Sequence, residues 1–100
     1  MVQVVEWTKR ALSDLRDIYD FIEKDSKKYA QIQIEKIQNS VSLLKLFPSL
    51  GHTLPEFPNS PYREILVGNY RIIYRFDDQQ NTIFVMSVIH VKRLLKDIQA

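Results

Sequence analysis

Both glycines, Gly51 and Gly68, and all four prolines, Pro48, Pro55, Pro58 and Pro61, fall between residues 48 and 68 of the 100-residue chain. Glycine and proline are the strongest local breakers of regular structure, so the stretches on either side of this window are free to form long, uninterrupted elements. The two sides have different periodicities. Before the window apolar residues recur every three or four positions; after it, Ile, Val, Tyr and Phe cluster in short runs. That order, helices and then strands, predicts an α+β domain.

From Lys9 to about Asp25, Ala11, Leu15, Ile18 and Ile22 lie on one helical stripe, flanked by Leu12, Tyr19 and Phe21, with Arg10, Asp14, Asp17 and Asp20 left for solvent. Thr8 is the expected N-cap, and Val2–Trp7 ahead of it reads as a first strand. Asp25-Ser26 supplies a turn and a second cap. The stripe of Ala30, Ile34, Ile37, Val41 and Leu44 then predicts a second helix, folded back on the first as an antiparallel hairpin. Residues 47–61 carry every proline and predict a loop, longer than most connections and therefore a place to look for function.

Three strands are expected beyond the loop, Tyr62–Val67, Tyr70–Asp77 and Thr82–Ile89, which with the N-terminal strand make a four-stranded, mainly antiparallel sheet. Gly68-Asn69 suits a two-residue type II′ turn, pairing Val67 with Tyr70, Ile65 with Ile72 and Arg63 with Tyr74. A regular second hairpin opposes Arg75 to Phe84, Ile73 to Met86 and Arg71 to Val88, and sets His90 opposite Asn69. One face then carries Ile65, Val67, Tyr70, Ile72, Tyr74, Phe76, Ile83, Val85 and Ile89 for the core. The other carries Tyr62, Glu64, Leu66, Arg71, Ile73, Arg75, Phe84, Met86, Val88 and His90, and is expected to stay at least partly open.

With 45% hydrophobic residues, the chain can build its own core as one domain spanning residues 1–100. The absence of cysteine excludes disulfides and thiolate chemistry. The N-terminus lacks a secretory pattern and no apolar run is long enough to span a membrane, so a cytoplasmic protein without membrane contact is expected. A net charge of +2 permits nucleic acid or an acidic protein as partner without requiring either. His52 and His90 stand far apart with no ligand cluster beside them, and no glycine-rich phosphate loop or nucleophile elbow occurs. Neither metal nor cofactor is therefore implied.

On the open face, His90 one diagonal step from Arg71, with Arg75 on the same side, would suit a phosphodiester. Guanidinium groups hold phosphate oxygens in two-point contacts, a histidine moves a proton near neutral pH, and Glu56 in the long loop would serve as base. The alternative reading makes Arg71 and Arg75 solvated partners of Glu64, with His90 a simple strand end. Phe84, Met86 and Val88 form an apolar stripe on this face that a partner protein would cover. Lys92, Arg93 and Lys96, set among Val91, Leu94, Leu95 and Ile98, predict a short amphipathic helical tail that packs back on the sheet edge or, alternatively, forms part of a partner's footprint.

Trp7, Ala11, Asp14-Leu15 and Ile18, then Pro48, Gly51 and Leu54-Pro55-Glu56, lead into Tyr62-Arg63-Glu64-Ile65. With Gly68-Asn69-Tyr70-Arg71-Ile72-Ile73-Tyr74-Arg75 and Val88-Ile89-His90, they make nearly the whole chain resemble the RelE/ParE toxin superfamily. The resemblance implies a growth-arresting toxin of a type II toxin–antitoxin module, held in a hetero-oligomer by a cognate antitoxin, with Phe84, Met86 and Val88 as the surface wrapped. It also implies one of two targets. A ribosome-dependent messenger-RNA endonuclease of the RelE or YoeB type would use Glu56 as base, Arg71 for phosphate and His90 as the proton-transfer group. Tyr62, Arg63, Glu64 and Arg75 would contact substrate or target.

A ParE-type toxin would instead bind DNA gyrase and break no bond. The sequence leans towards ParE, since Val91 follows His90 where the YoeB branch has tyrosine, the chain ends at Ala100 without the terminal tyrosine of RelE, and RelE's lysine cluster is missing. A non-toxic module that only binds antitoxin is the third reading.

Overall fold

The computed structural model describes residues 4–93, which form β1 (Val4–Trp7), α1 (Lys9–Glu23), α2 (Lys27–Leu43), β2 (His52–Thr53), β3 (Tyr62–Val67), β4 (Tyr70–Asp77) and β5 (Thr82–His90). The expected caps form as the sequence indicates. Thr8 accepts the Ala11 N–H at the start of α1, and Ser26 accepts the Tyr29 N–H at the start of α2, both at 3.1 Å. The sheet has five strands in the order β1-β5-β4-β3-β2, one more than expected, because two residues of the proline-rich loop pair with the edge of β3. β1 runs parallel to β5 and the other neighbours are antiparallel. The expected C-terminal helical tail and residues 1–3 of the first strand lie outside the described residues.

The helical hairpin covers one face of the sheet. Between the two layers lies the main core, centred on Ala11, Ile37, Leu44, Ile72, Tyr74 and Val85, each at most 0% exposed. The far face is not open. The loop after β2 folds across it, and Leu54, Ile73, Met86 and Ile89 make a second buried cluster, with Phe57, Tyr62 and Phe84 packed against it. A sheet sandwiched in this way explains why β4 reads Tyr-Arg-Ile-Ile-Tyr, with apolar residues at consecutive positions, Ile72 facing the main core and Ile73 the second.

The β3–β4 register is the one the sequence predicts, and Gly68 takes the positive φ of 60° that its turn requires. β4 and β5 depart from expectation halfway along. Arg75 pairs with Phe84 and Tyr74 with Val85, but Ile73 then pairs with Ser87, so Met86 is an extra, unpaired residue in a β-bulge. Beyond it every residue of β5 changes face. Arg71 opposes Ile89 where Val88 was expected, and His90 opposes Tyr70 where Asn69 was expected. Val88 enters the main core and Ile89 the second cluster, the reverse of the predicted assignment.

The bulge is held from α1. The Thr8 hydroxyl donates to the Met86 carbonyl at 3.1 Å, while Asp14 Oδ2 accepts the Val88 N–H at 2.9 Å and the Ser87 hydroxyl at 2.8 Å. A bulge interrupts the ladder and leaves backbone groups to be satisfied elsewhere, and two side chains of one helix satisfy them here. Asp14 is thus not a solvent residue, as the helical pattern suggested; it sits at the sheet.

Candidate functional site

Arg71 leaves β4 on the face away from the helices, where Leu66 and Ile89 are its cross-strand neighbours. Its guanidinium lies almost out of water, with the side chain 7% exposed. Charge in such a position requires partners, and three are present. Nε donates to Glu64 Oε1 at 2.6 Å, Nη1 and Nη2 donate in a fork to Glu56 Oε2 and Oε1 at 2.6 Å each, and Nη1 also donates to the Arg93 carbonyl at 2.9 Å. Glu56 and Glu64 side chains are 10% and 8% exposed. The fork to Glu56, with help from Glu64, raises the Arg71 pKa above its ordinary value against the opposing effect of burial.

Glu56 therefore reaches Arg71 as the sequence suggested, and Glu64 joins them. The triad ties the loop, β3, β4 and the chain after β5 together. His90 does not join it. The bulge turns His90 to the helix side, where its ring stands edge-on to Tyr70, centroids 5.8 Å apart, and its Nδ1 accepts the Lys92 N–H at 3.2 Å. It lines a cleft of about 380 Å3 with Asp14, Asp17, Phe21 and Tyr70. Desolvation, reinforced by the nearby Tyr29, raises the Tyr70 pKa. The grouping of Arg71, Glu56 and His90 expected for phosphodiester cleavage is split between the two faces of the sheet, and the guanidinium fork is filled by a carboxylate.

The remaining expected site residues have partners of their own. Arg75 stacks over the Phe84 ring at 4.6 Å and lies 3.6 Å from Asp77, so it is neither paired with Glu64 nor adjacent to the triad's carboxylates. Tyr62 packs on the second cluster, and Arg63 Nη1 donates to the Gly51 carbonyl at 2.7 Å. Phe84, Met86 and Val88 do not form an exposed stripe: Phe84 is half-buried, and Met86 and Val88 are each 3% exposed. The reason for expecting a partner on them disappears because the loop covers one side and the bulge turns Val88 to the other.

Two residues that the sequence analysis did not place at the site shape this region. Asp14 decides nothing chemically but holds the bulge; its place between Ala11, Leu15 and Ile18 on the buried stripe was the available signal. Tyr74 is fully buried, donates to the Pro48 carbonyl at 2.7 Å and accepts the Gly51 N–H at 2.9 Å, which fastens the start of the loop. Burial raises its pKa.

Comparison with known proteins agrees with this architecture. Among curated proteins none matches the chain in sequence. Among solved structures, a chromosomal ParDE system from P. aeruginosa superposes with a TM-score of 0.74 at 19% identity, over 91% of this chain and 98% of that one. The intact E. coli RelBE toxin–antitoxin complex gives 0.65 at 18% identity, over 90% and 98%. A RelBE-type toxin–antitoxin complex from Mycobacterium tuberculosis gives 0.59 at 23% identity, over 90% and 99%. At such identities these likenesses speak for the fold alone. The sequence model of the ParE toxin of the type II toxin–antitoxin system parDE matches residues 5–95, and by that match the chain belongs to the ParE toxin family.

Proposed function

We propose that this protein is the toxin of a parDE-type module that arrests growth by binding its target, DNA gyrase, and is neutralised by a cognate antitoxin. The observation that carries the reading is the separation of His90 from Arg71. Phosphoryl-transfer chemistry needs the phosphate-binding cation and the proton-transfer group within reach of one substrate atom. Here they stand on opposite faces of the sheet, and four donor contacts of Arg71 already go to Glu56, Glu64 and the Arg93 carbonyl. Glu56, bound in that fork, is a charge partner rather than a free base. A protein that acts by surface complementarity needs none of these groups at liberty.

Gyrase is the target implied by resemblance to ParE-type toxins, and membership of that family supports it over the ribosome. The test is a supercoiling assay with purified protein, gyrase and relaxed DNA. Loss of supercoiling on adding the toxin, restored by the cognate antitoxin, is the expected outcome. Undiminished supercoiling at toxin concentrations that arrest growth would exclude gyrase.

A further inference from the structure

Glu64 uses only half of its carboxylate inside the fold. Oε1 accepts from Arg71 Nε at 2.6 Å, whereas Oε2 takes no donor among the described residues. The residue is 6% exposed, so this oxygen has little water to turn to. His52, its cross-strand neighbour on β2, is exposed and makes no bond to it among the described residues. A buried anion with an unused acceptor is open to a cationic donor.

Glu64 lines a cleft of about 260 Å3 on the loop face, together with Glu56, Arg71, Pro55, Leu66 and Val91. That volume is below the roughly 300 Å3 at which small-molecule sites begin, and it suits one side chain better than a nucleotide. The sign of the charge is set by the bonds already made. Arg71 gives its donors to Glu56, Glu64 and a carbonyl, and the charge that remains unmatched by a donor is on Glu64 Oε2. A phosphate oxygen there would meet a carboxylate oxygen, whereas an ammonium or guanidinium would find an acceptor. A metal ion lacks the ligands it needs, since no three of His, Asp and Glu converge among the described residues.

We propose that this cleft receives one basic side chain, lysine or arginine, presented by the target protein; the inference rests on the target-binding reading above and names the group that the target offers. The cationic head donates to Glu64 Oε2. Its methylene stem lies along Pro55, Leu66 and Val91, of which Leu66 and Val91 are exposed in the free protein, as long basic side chains do when they cover apolar surface. The same charge turns DNA phosphates away, so this face meets the protein part of a gyrase–DNA complex.

The experiment uses the whole chain. Ethylguanidinium and n-butylammonium should shift the Leu66 and Val91 methyl NMR signals saturably, dimethyl phosphate should not, and Glu64→Gln, which keeps an oxygen for Arg71 Nε, should abolish the shifts. Shifts with the phosphate and none with the cations overturn the site. In the supercoiling assay Glu64→Gln should raise the half-inhibiting toxin concentration by about tenfold or more, as loss of a charge-assisted hydrogen bond does. Asp78→Asn, which removes an exposed carboxylate from the β4–β5 turn, should change it by less than about twofold. Full inhibition by Glu64→Gln overturns the proposal, and a fall in antitoxin affinity in its place would assign the cleft to the antitoxin. Wild-type toxin without effect on supercoiling removes the gyrase reading and this occupant with it, whereas an absence of cation shifts in a toxin that inhibits gyrase removes the cleft alone.

Discussion

Arg71 sits between two carboxylates, its guanidinium bridging Glu56 and Glu64 in a site nearly free of water. Removing the cation alone leaves two buried anions facing each other, so Arg71→Met should destabilise the fold by roughly 3–5 kcal/mol. Replacing all three together, with Glu56→Gln and Glu64→Gln added, should recover most of that loss in urea denaturation, because a buried ion network adds little net stability over neutral packing. A triad made for binding an external phosphate would show no such recovery of stability, since the native fork would be empty in the free protein. Gly51 is the other residue fixed by its surroundings. A Cβ there would collide with the Glu64 carbonyl oxygen and stand 2.8 Å from Tyr74 Cε1. Gly51→Ala should therefore cost about 2 kcal/mol or more, as overpacking against backbone does, and lower the thermal midpoint accordingly.

At the scale of elements, the bulge in β5 decides which residues meet. Asp14→Ala removes two hydrogen bonds to a carboxylate and leaves the Val88 N–H without its partner, a loss of about 2–3 kcal/mol measurable by denaturant titration. Both helices and the β3–β4 hairpin were legible because short-range rules govern them: Thr8 and Ser26 cap, the apolar stripes repeat, and Gly68 fixes the turn. The second half of β5 was not. A regular ladder would have set Ser87 opposite Ile72 in the main core, and that polar residue amid apolar neighbours was the clue that one residue had to be extruded. The bulge buries both Val88 and Ile89 and gives Ser87 to Asp14, an arrangement that depends on a helix more than seventy positions away. Nor could β2 be read, as two residues inside a proline-rich loop have no periodicity. The meeting of Glu56 with Arg71 was foreseen, whereas the burial that makes it a structural contact depends on the loop's packing over Leu54.

For the molecule as a whole, the loop is fastened to the sheet by a group that titrates at high pH, the Tyr74 phenol. Folding raises the pKa of Tyr74 and Tyr70 through burial. A raised phenol favours the neutral folded form, so its contribution is complete below the unfolded tyrosine pKa, about 10, and fades as pH climbs through the folded values. Stability should hold at neutral pH and fall from about pH 10 upwards, and Tyr74→Phe should lower stability at pH 7 while making that alkaline decline shallower. Equal alkaline slopes in the two proteins would show that the loop is fastened by other groups.

On the proposed reading, growth arrest comes from a surface that binds, with no joint role for His90 and Arg71. Its most direct test is the growth arrest produced by His90→Gln at expression matched to wild type. Arrest equal to wild type is predicted, because the ring lies on the helix face away from the triad. A fall of about a hundredfold in potency in a variant that keeps its fold, the size expected on losing a general acid or base, would contradict it.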